Sequence, residues 1–381
     1  MPDFAWGDFT SALYLGFDHA SGSLPGWARL TLGKPAVLED VPGTLQVQRE
    51  LAALTGCEQV VLGASTLHLF NDLFGMLAGR DDIAIWIDEA AYPIARWGAD
   101  RAAAGGVPVR TFAGHDADAL WKAMNANRKA RPVIVTDGFY PIGGEPAPLV
   151  DYARFAAAGN GLLIVDDTQA LGLFGRPVRS ADPYGSGGGG SIRRFNLERA
   201  ASGIVVVSSL AKALGVPVAM LGGSREFVEE FHGKSATLVH CSPPSAVTIL
   251  AAGRALELNR RWGDALRRRL AERVIRFRRG LPGLTATRSL FPVQPLRLPG
   301  DMGAMGTMDV RRLYRRLLER GVQPVLHREA GGRNSRISFV LSARHRLSEI
   351  DYAVASVAEE LGRSDVLKLR EELGSLGVCP G

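Results

Sequence analysis

Seven short runs of mostly apolar, β-branched residues punctuate the first two thirds of the chain: Gln59–Gly63, Ile83–Asp88, Val107–Phe112, Pro132–Asp137, Gly161–Asp166, Gly203–Ser209 and Val216–Gly222. Their apolarity is continuous instead of alternating, which predicts strands buried on both faces. Stretches with helical spacing separate several of them, at Leu67–Ala78, Ala117–Asn127 and Asp151–Ala158. Strands that alternate with helices in this way predict an α/β fold, a mostly parallel seven-stranded sheet with helices on both faces. Ligands of such sheets gather at the carboxyl ends of the strands. Gly63, Asp88, Asp137, Asp166 and Ser209 occupy those ends.

Beyond Pro243-Pro244 a long helical stretch runs to about Arg279, and then the texture changes. Phe291–Leu298 and Arg336–Leu341 read as strands, Met308–Arg320 and Ser348–Gly362 as helices, together a smaller C-terminal α+β domain. The expected organisation is an N-terminal segment over 1–45, a large domain over 46–282 and a small domain over 283–381. The one low-complexity tract, Gly185–Ser191, formally satisfies the dinucleotide-binding spacing GxGxxG. It follows Pro183-Tyr184 and opens no apolar helix, so the context that motif requires is missing. A mobile loop over or beside the site is the expectation for it.

Composition narrows the class. With 46% hydrophobic and 22% charged residues over 381 positions, the chain reads as an ordinary soluble globular protein. The net charge of +6 comes mainly from arginine, densest over Arg254–Arg279, where acids and apolar residues are interspersed at helical spacing. That pattern describes a solvated helix face and no nucleic-acid partner. Cys57, Cys241 and Cys379 are an odd number with no CxxC spacing, which suggests neither a disulfide framework nor a zinc cage and points to a reducing, cytoplasmic setting. Ile204–Gly223 is long and apolar, yet Lys212, Gly215 and Pro217 interrupt it, so two buried strands flanking a loop are expected in place of a membrane span.

Lys212 carries the most chemistry, because an ammonium within that apolar run is expensive to bury. A desolvated lysine loses its proton more readily and can condense with an aldehyde as a Schiff base. A lysine snorkelling from the surface is the plainer reading. Asp166 ends one strand about forty residues before the strand that leads to Lys212. A pyridine aldehyde cofactor needs such a pair, a lysine for the aldehyde and a carboxylate that keeps the ring nitrogen protonated. Taken alone, Asp166 is equally a helix cap.

Four stretches now resemble one family. Leu13-Tyr14-Leu15-Gly16, Gly138–Leu149 (GFYPIGGEPAPL), Val165–Gly175 (VDDTQALGLFG) and Ser209–Gly215 (SLAKALG) are similar, in order and spacing, to motifs of the fold-type I enzymes dependent on pyridoxal phosphate, and among them the α-oxoamine synthase group. The resemblance implies the pyridoxal-phosphate transferase fold of type I, with Lys212 holding the cofactor and Asp166 pairing with its ring nitrogen. It places Gly63, Ala64, Ser65 and Thr66 at the cofactor phosphate, joined by Ser209, and Tyr92 at the ring-stacking position. Gln169 falls beside the phenolic oxygen. At both Tyr92 and Gln169 the group has histidine. Arg336 is the candidate for a substrate carboxylate, with Arg333 competing, and His240–Ser242 resembles a stretch that reaches a neighbouring subunit. A homodimer is implied.

These residues imply an enzyme acting on a small amino acid. Transamination with a 2-oxo acid is the leading expectation, because Lys212, Asp166 and a carboxylate clamp suffice for it and both histidines are replaced. Condensation of the amino acid with an acyl thioester comes next, then racemisation or β/γ-elimination. A non-catalytic binding module on this fold is the reading from another class, opposed by the presence of Lys212.

Overall fold

The computed structural model describes residues 7–17, 19, 24, 30–126, 130–177, 182–198, 203–298, 310–328 and 335–375. Arg333 and Cys379 lie outside them. The chain divides into two compact units, one formed by Phe17–Tyr140 and Pro146–Asp264, the other by Met1–Gly16, Pro141–Glu145 and Ala265–Gly381.

All seven expected strands form one sheet in the first unit. They are β1 (Gln59–Gly63), β2 (Ile83–Asp88), β3 (Val109–Phe112), β4 (Arg131–Asp137), β5 (Leu162–Asp166), β6 (Ile204–Ser209) and β7 (Ala219–Gly223), in the order β1-β7-β6-β5-β4-β2-β3. β2 through β6 pair in parallel, and β7 lies antiparallel between β1 and β6. Chain length explains the exception. The connection from β6 to β7 is too short for the crossover that parallel neighbours need. Val216 and Val218, expected at the start of β7, fold into that connection instead, where Leu210 N–H donates to the Val218 carbonyl at 2.8 Å.

Alternate residues of each strand feed two separate cores. Ile85, Ile87, Val133, Val135, Ile164, Val205 and Val207 face one cluster with Leu69, Phe70, Leu73 and Phe74 of helix α2 (Thr66–Leu77) and Ala95, Ala99 and Ala102 of helix α3 (Pro93–Ala104). Trp86, Ile134, Leu163, Val165 and Val206 face the other, with helices at Ala117–Asn125 and Leu149–Ala158 supplying Leu120, Tyr152 and Phe155. Burying each such aliphatic side chain contributes about 1.5–3 kcal/mol, so both sheet faces are committed and polar groups collect at the strand ends.

In the other unit, Val293–Pro295, Val325–Arg328 and Ser335–Val340 make an antiparallel three-stranded sheet, and Val310–Glu319 and Leu347–Ser375 are helices, the latter with non-helical backbone at Gly362. A helix over Ala246–Gly280 runs across the division between the units.

The glycine tract differs from expectation. Antiparallel bridges join Leu171 to Gly189 and Arg176 to Ser186, and the Gly190 N–H donates to the Phe174 carbonyl at 2.8 Å. Asp264 and Asn259 hold Gly187 from either side at 2.9 Å. The tract is therefore fastened, and its glycines answer a steric demand. A Cβ on Gly175 would come within 1.8 Å of the Ser186 carbonyl oxygen, and Gly185 and Gly190 have φ of 71° and 82°.

Candidate active site

The sheet register brings the expected strand ends into one row. Gly63 pairs with Ala219, which pairs with Ser209, and Asp137 is the register partner of Asp166. On the next strand over, Asp88 accepts the Thr136 hydroxyl at 3.2 Å. Three carboxylates thus line the carboxyl edge of β2, β4 and β5.

Asp166 is buried, and its Oδ1 accepts the Thr168 N–H at 3.0 Å. Burial raises its pKa above the usual carboxylate range, while Thr168 and the charge of Lys212 pull it back only in part. Thr168 also accepts the Ser209 N–H on its hydroxyl at 3.0 Å, which ties the end of β5 to the end of β6.

Lys212 sits in the tight connection between β6 and β7. Ser209 Oγ accepts the Ala211 N–H at 3.2 Å, and the Lys212 carbonyl accepts the Gly215 N–H at 3.2 Å, so both flanks of the lysine are fixed. Burial lowers the pKa of Lys212, opposed by the charges of Asp166 and Asp137. His19 Nε2 lies 3.0 Å from the Leu214 carbonyl and braces the same turn.

The turn Gly63–Ala64 delivers the chain into α2, whose N-cap Ser65 accepts the His68 N–H at 3.4 Å and contacts His68 Nδ1 at 2.8 Å. No acidic residue occupies the first turn of α2, so the positive end of the helix is left for an anion. Tyr92 is the N-cap residue of α3, 55% exposed, and donates its backbone N–H to Asp137 Oδ1 at 3.0 Å. Gln169 is half-buried, one residue beyond Thr168. Arg336 lies in the other unit, opposite His327 in an antiparallel pair.

The first unit therefore carries Gly63, Ala64, Ser65, Thr66, Tyr92, Asp166, Gln169, Ser209 and Lys212, on strand ends and adjoining turns of one sheet. The roles of Asp137, Thr168 and His19 were not legible beforehand. Thr168 had one signal, its place inside the DDTQ stretch, and Asp137 another, its place at a strand end; the partners of Asp137 and His19 lie 45 and 195 residues away in sequence.

The model for aminotransferases of class I and II matches residues 31–357. The chain belongs to that family. Curated relatives include the 8-amino-7-oxononanoate synthases of Nitrosococcus oceani, 29% identical over 83% of this chain and 79% of that protein, and of Dechloromonas aromatica, 30% identical over 82% and 77%. A solved serine palmitoyltransferase from Sphingomonas wittichii shares the fold with a TM-score of 0.78 at 18% identity, covering 94% of this chain and 87% of that one. Membership makes the protein a transferase dependent on pyridoxal phosphate, and the residues present fit that group. A buried carboxylate that Lys212 and Thr168 leave under-compensated suits a ring N–H, a desolvated lysine suits an aldehyde, and an unneutralised helix start suits a phosphate. Among the described residues no His, Cys, Asp and Glu cluster could hold a metal ion, and no helix is long and apolar enough to cross a membrane.

Proposed function

We infer that this protein is an α-oxoamine-synthase-type transferase that joins a small amino acid to the acyl group of a thioester. The observation that carries this reading is the similarity to 8-amino-7-oxononanoate synthases along about four fifths of both chains, 83% of this one and 79% of the first relative. It reverses the ranking drawn from sequence, in which transamination led. In the condensation, the bond from the α-carbon to the carboxylate breaks with release of carbon dioxide. A bond from the α-carbon to the acyl carbon forms, and the thiol departs with a proton.

Pyridoxal phosphate, when bound, supplies an electron sink conjugated to the α-carbon. The chain supplies the rest. Lys212 holds the cofactor aldehyde and, once released, moves a proton at the α-carbon. Asp166 keeps the ring nitrogen protonated. Amide groups at the start of α2, with the hydroxyls of Ser65, Thr66 and Ser209, hold the phosphate. Tyr92 covers one ring face, and the Gln169 amide donates to the phenolic oxygen. Arg336 offers a planar guanidinium to the substrate carboxylate. The assembly we infer is a homodimer.

Transamination remains the second reading, favoured by Tyr92 and Gln169 standing where α-oxoamine synthases have histidine. The holoenzyme should be incubated with a panel of amino acids, with and without acyl-coenzyme A. Release of free thiol and carbon dioxide that requires both substrates is the expected result. Formation of a 2-oxo acid without the thioester would assign the enzyme to transamination.

A further inference from the structure

Asp137 has no part in the chemistry just described, yet it is the register partner of Asp166 and stands between two other carboxylates. The charged groups around it are Asp166 from β5, Lys212 from the β6–β7 turn and, from the other face of the sheet, Asp88 of β2, while α3 offers the Tyr92 backbone N–H. Asp88 continues the Trp86 face of its strand, whereas Asp166 shares a face with Asp137, so at the strand spacing of about 5 Å it is the charge of Asp166 that would repel Asp137 strongly. The three carboxyls differ in the donors they meet. Asp88 spends both oxygens on three donors, Ala90 N–H at 2.8 Å, Thr136 Oγ1 at 3.2 Å and His115 N–H at 3.4 Å. Asp166 has the Thr168 N–H and faces Lys212. Asp137 has the Tyr92 N–H at 3.0 Å and, more weakly, the charge of Lys212 to offset burial and the charge of Asp166.

We propose that Asp137 is a positioning residue for the reaction: its carboxyl anchors Tyr92 through the backbone N–H and cedes the charge opposite Lys212 to its register partner Asp166. Burial first, and then the charge of Asp166, hold the Asp137 carboxyl well above the usual range, in agreement with the geometry. Two consequences follow for the site. Tyr92 begins α3 without any side-chain cap, and the Asp137 oxygen holds the backbone N–H of the residue whose ring is expected to cover the cofactor. A second anion beside Lys212 would also hold the lysine in its cationic form and oppose its use as a base.

The inference rests on the cofactor reading of Lys212 and Asp166 and is independent of the acceptor substrate. Its test uses holoenzyme without substrate, following the absorbance of the Lys212-bound cofactor against pH. Asp137→Asn should leave the titration midpoint at the wild-type position, because a neutral group replaces a neutral group. Asp166→Asn should move the midpoint down, because it removes the anion opposite the cation. A downward shift in Asp137→Asn as large as that of Asp166→Asn would overturn the proposal. In cofactor titrations, Asp137→Ala should weaken binding roughly three- to tenfold by deleting the acceptor for Tyr92 N–H, while Asp137→Asn retains it. Equal affinity in the two variants would also overturn it. Wild-type protein with no cofactor on Lys212 would refute the site reading itself, a failure distinct from either of these.

Discussion

Burial acts in opposite directions on the two residues that matter most, raising the proton affinity of Asp166 and lowering that of Lys212. Each shift suits its task. An amine that sheds its proton easily can condense with an aldehyde, and a carboxylate short of cationic partners gains most from a ring N–H beside it. Borohydride reduction of the holoprotein followed by peptide mapping should place the pyridoxyl label on Lys212, and Lys212→Ala should lose it. Label on another lysine would remove the basis of the site. Asp166→Asn should still bind cofactor but turn over roughly a hundredfold more slowly or worse, about 3 kcal/mol of barrier, since an amide cannot hold the ring proton. Near-normal turnover would reduce Asp166 to a turn-stabilising acid that does no more than accept the Thr168 N–H.

At the scale of elements, legibility followed burial. The seven strands could be read because both sheet faces are covered, which leaves continuous apolar runs such as Ile83–Asp88. Lys212 and Asp166 could be read because polar residues ending such runs have few other reasons to be there. Asp137 could be read as a strand end but not in its relations to Asp166 on the neighbouring strand and to Tyr92, which only register and folding create. The glycine tract misled for a related reason. Glycine signals freedom in isolation, whereas here it permits close backbone approach between Gly185–Ser191 and Leu171–Arg176. Gly175→Ala should therefore destabilise the fold by about 2 kcal/mol or more, because the Ser186 carbonyl 1.8 Å from the new Cβ is backbone and cannot rotate away. Denaturant unfolding would measure it, and an unchanged midpoint would show the tract to be loosely held after all.

The molecule as a whole should carry a pH signature from Asp167, which burial first of all pushes up to about 7 against hydrogen bonds from Ser191. At low pH both folded and unfolded chains hold that proton. As pH rises toward about 7 the unfolded chain releases it first, so this group's contribution to stability is lost across that window. Asp167→Asn should flatten the fall in melting temperature between acid and neutral pH, and an unaltered profile would mean that the carboxyl ionises normally. Assembly offers the last test. Ser242 is exposed just beyond the helix Ala236–His240, which buried Asp72 fixes by accepting the Thr237 N–H at 2.9 Å and its hydroxyl at 2.6 Å. If each site is completed by this stretch of the other subunit, light scattering should give twice the chain mass of 40.8 kDa. Lys212→Ala and Ser242→Arg homodimers should each be inactive, yet a mixture refolded together should recover activity. The mixed dimer then contains one site with an intact lysine and an intact serine. An active monomer, or mixtures as inactive as their parents, would confine the site to one chain.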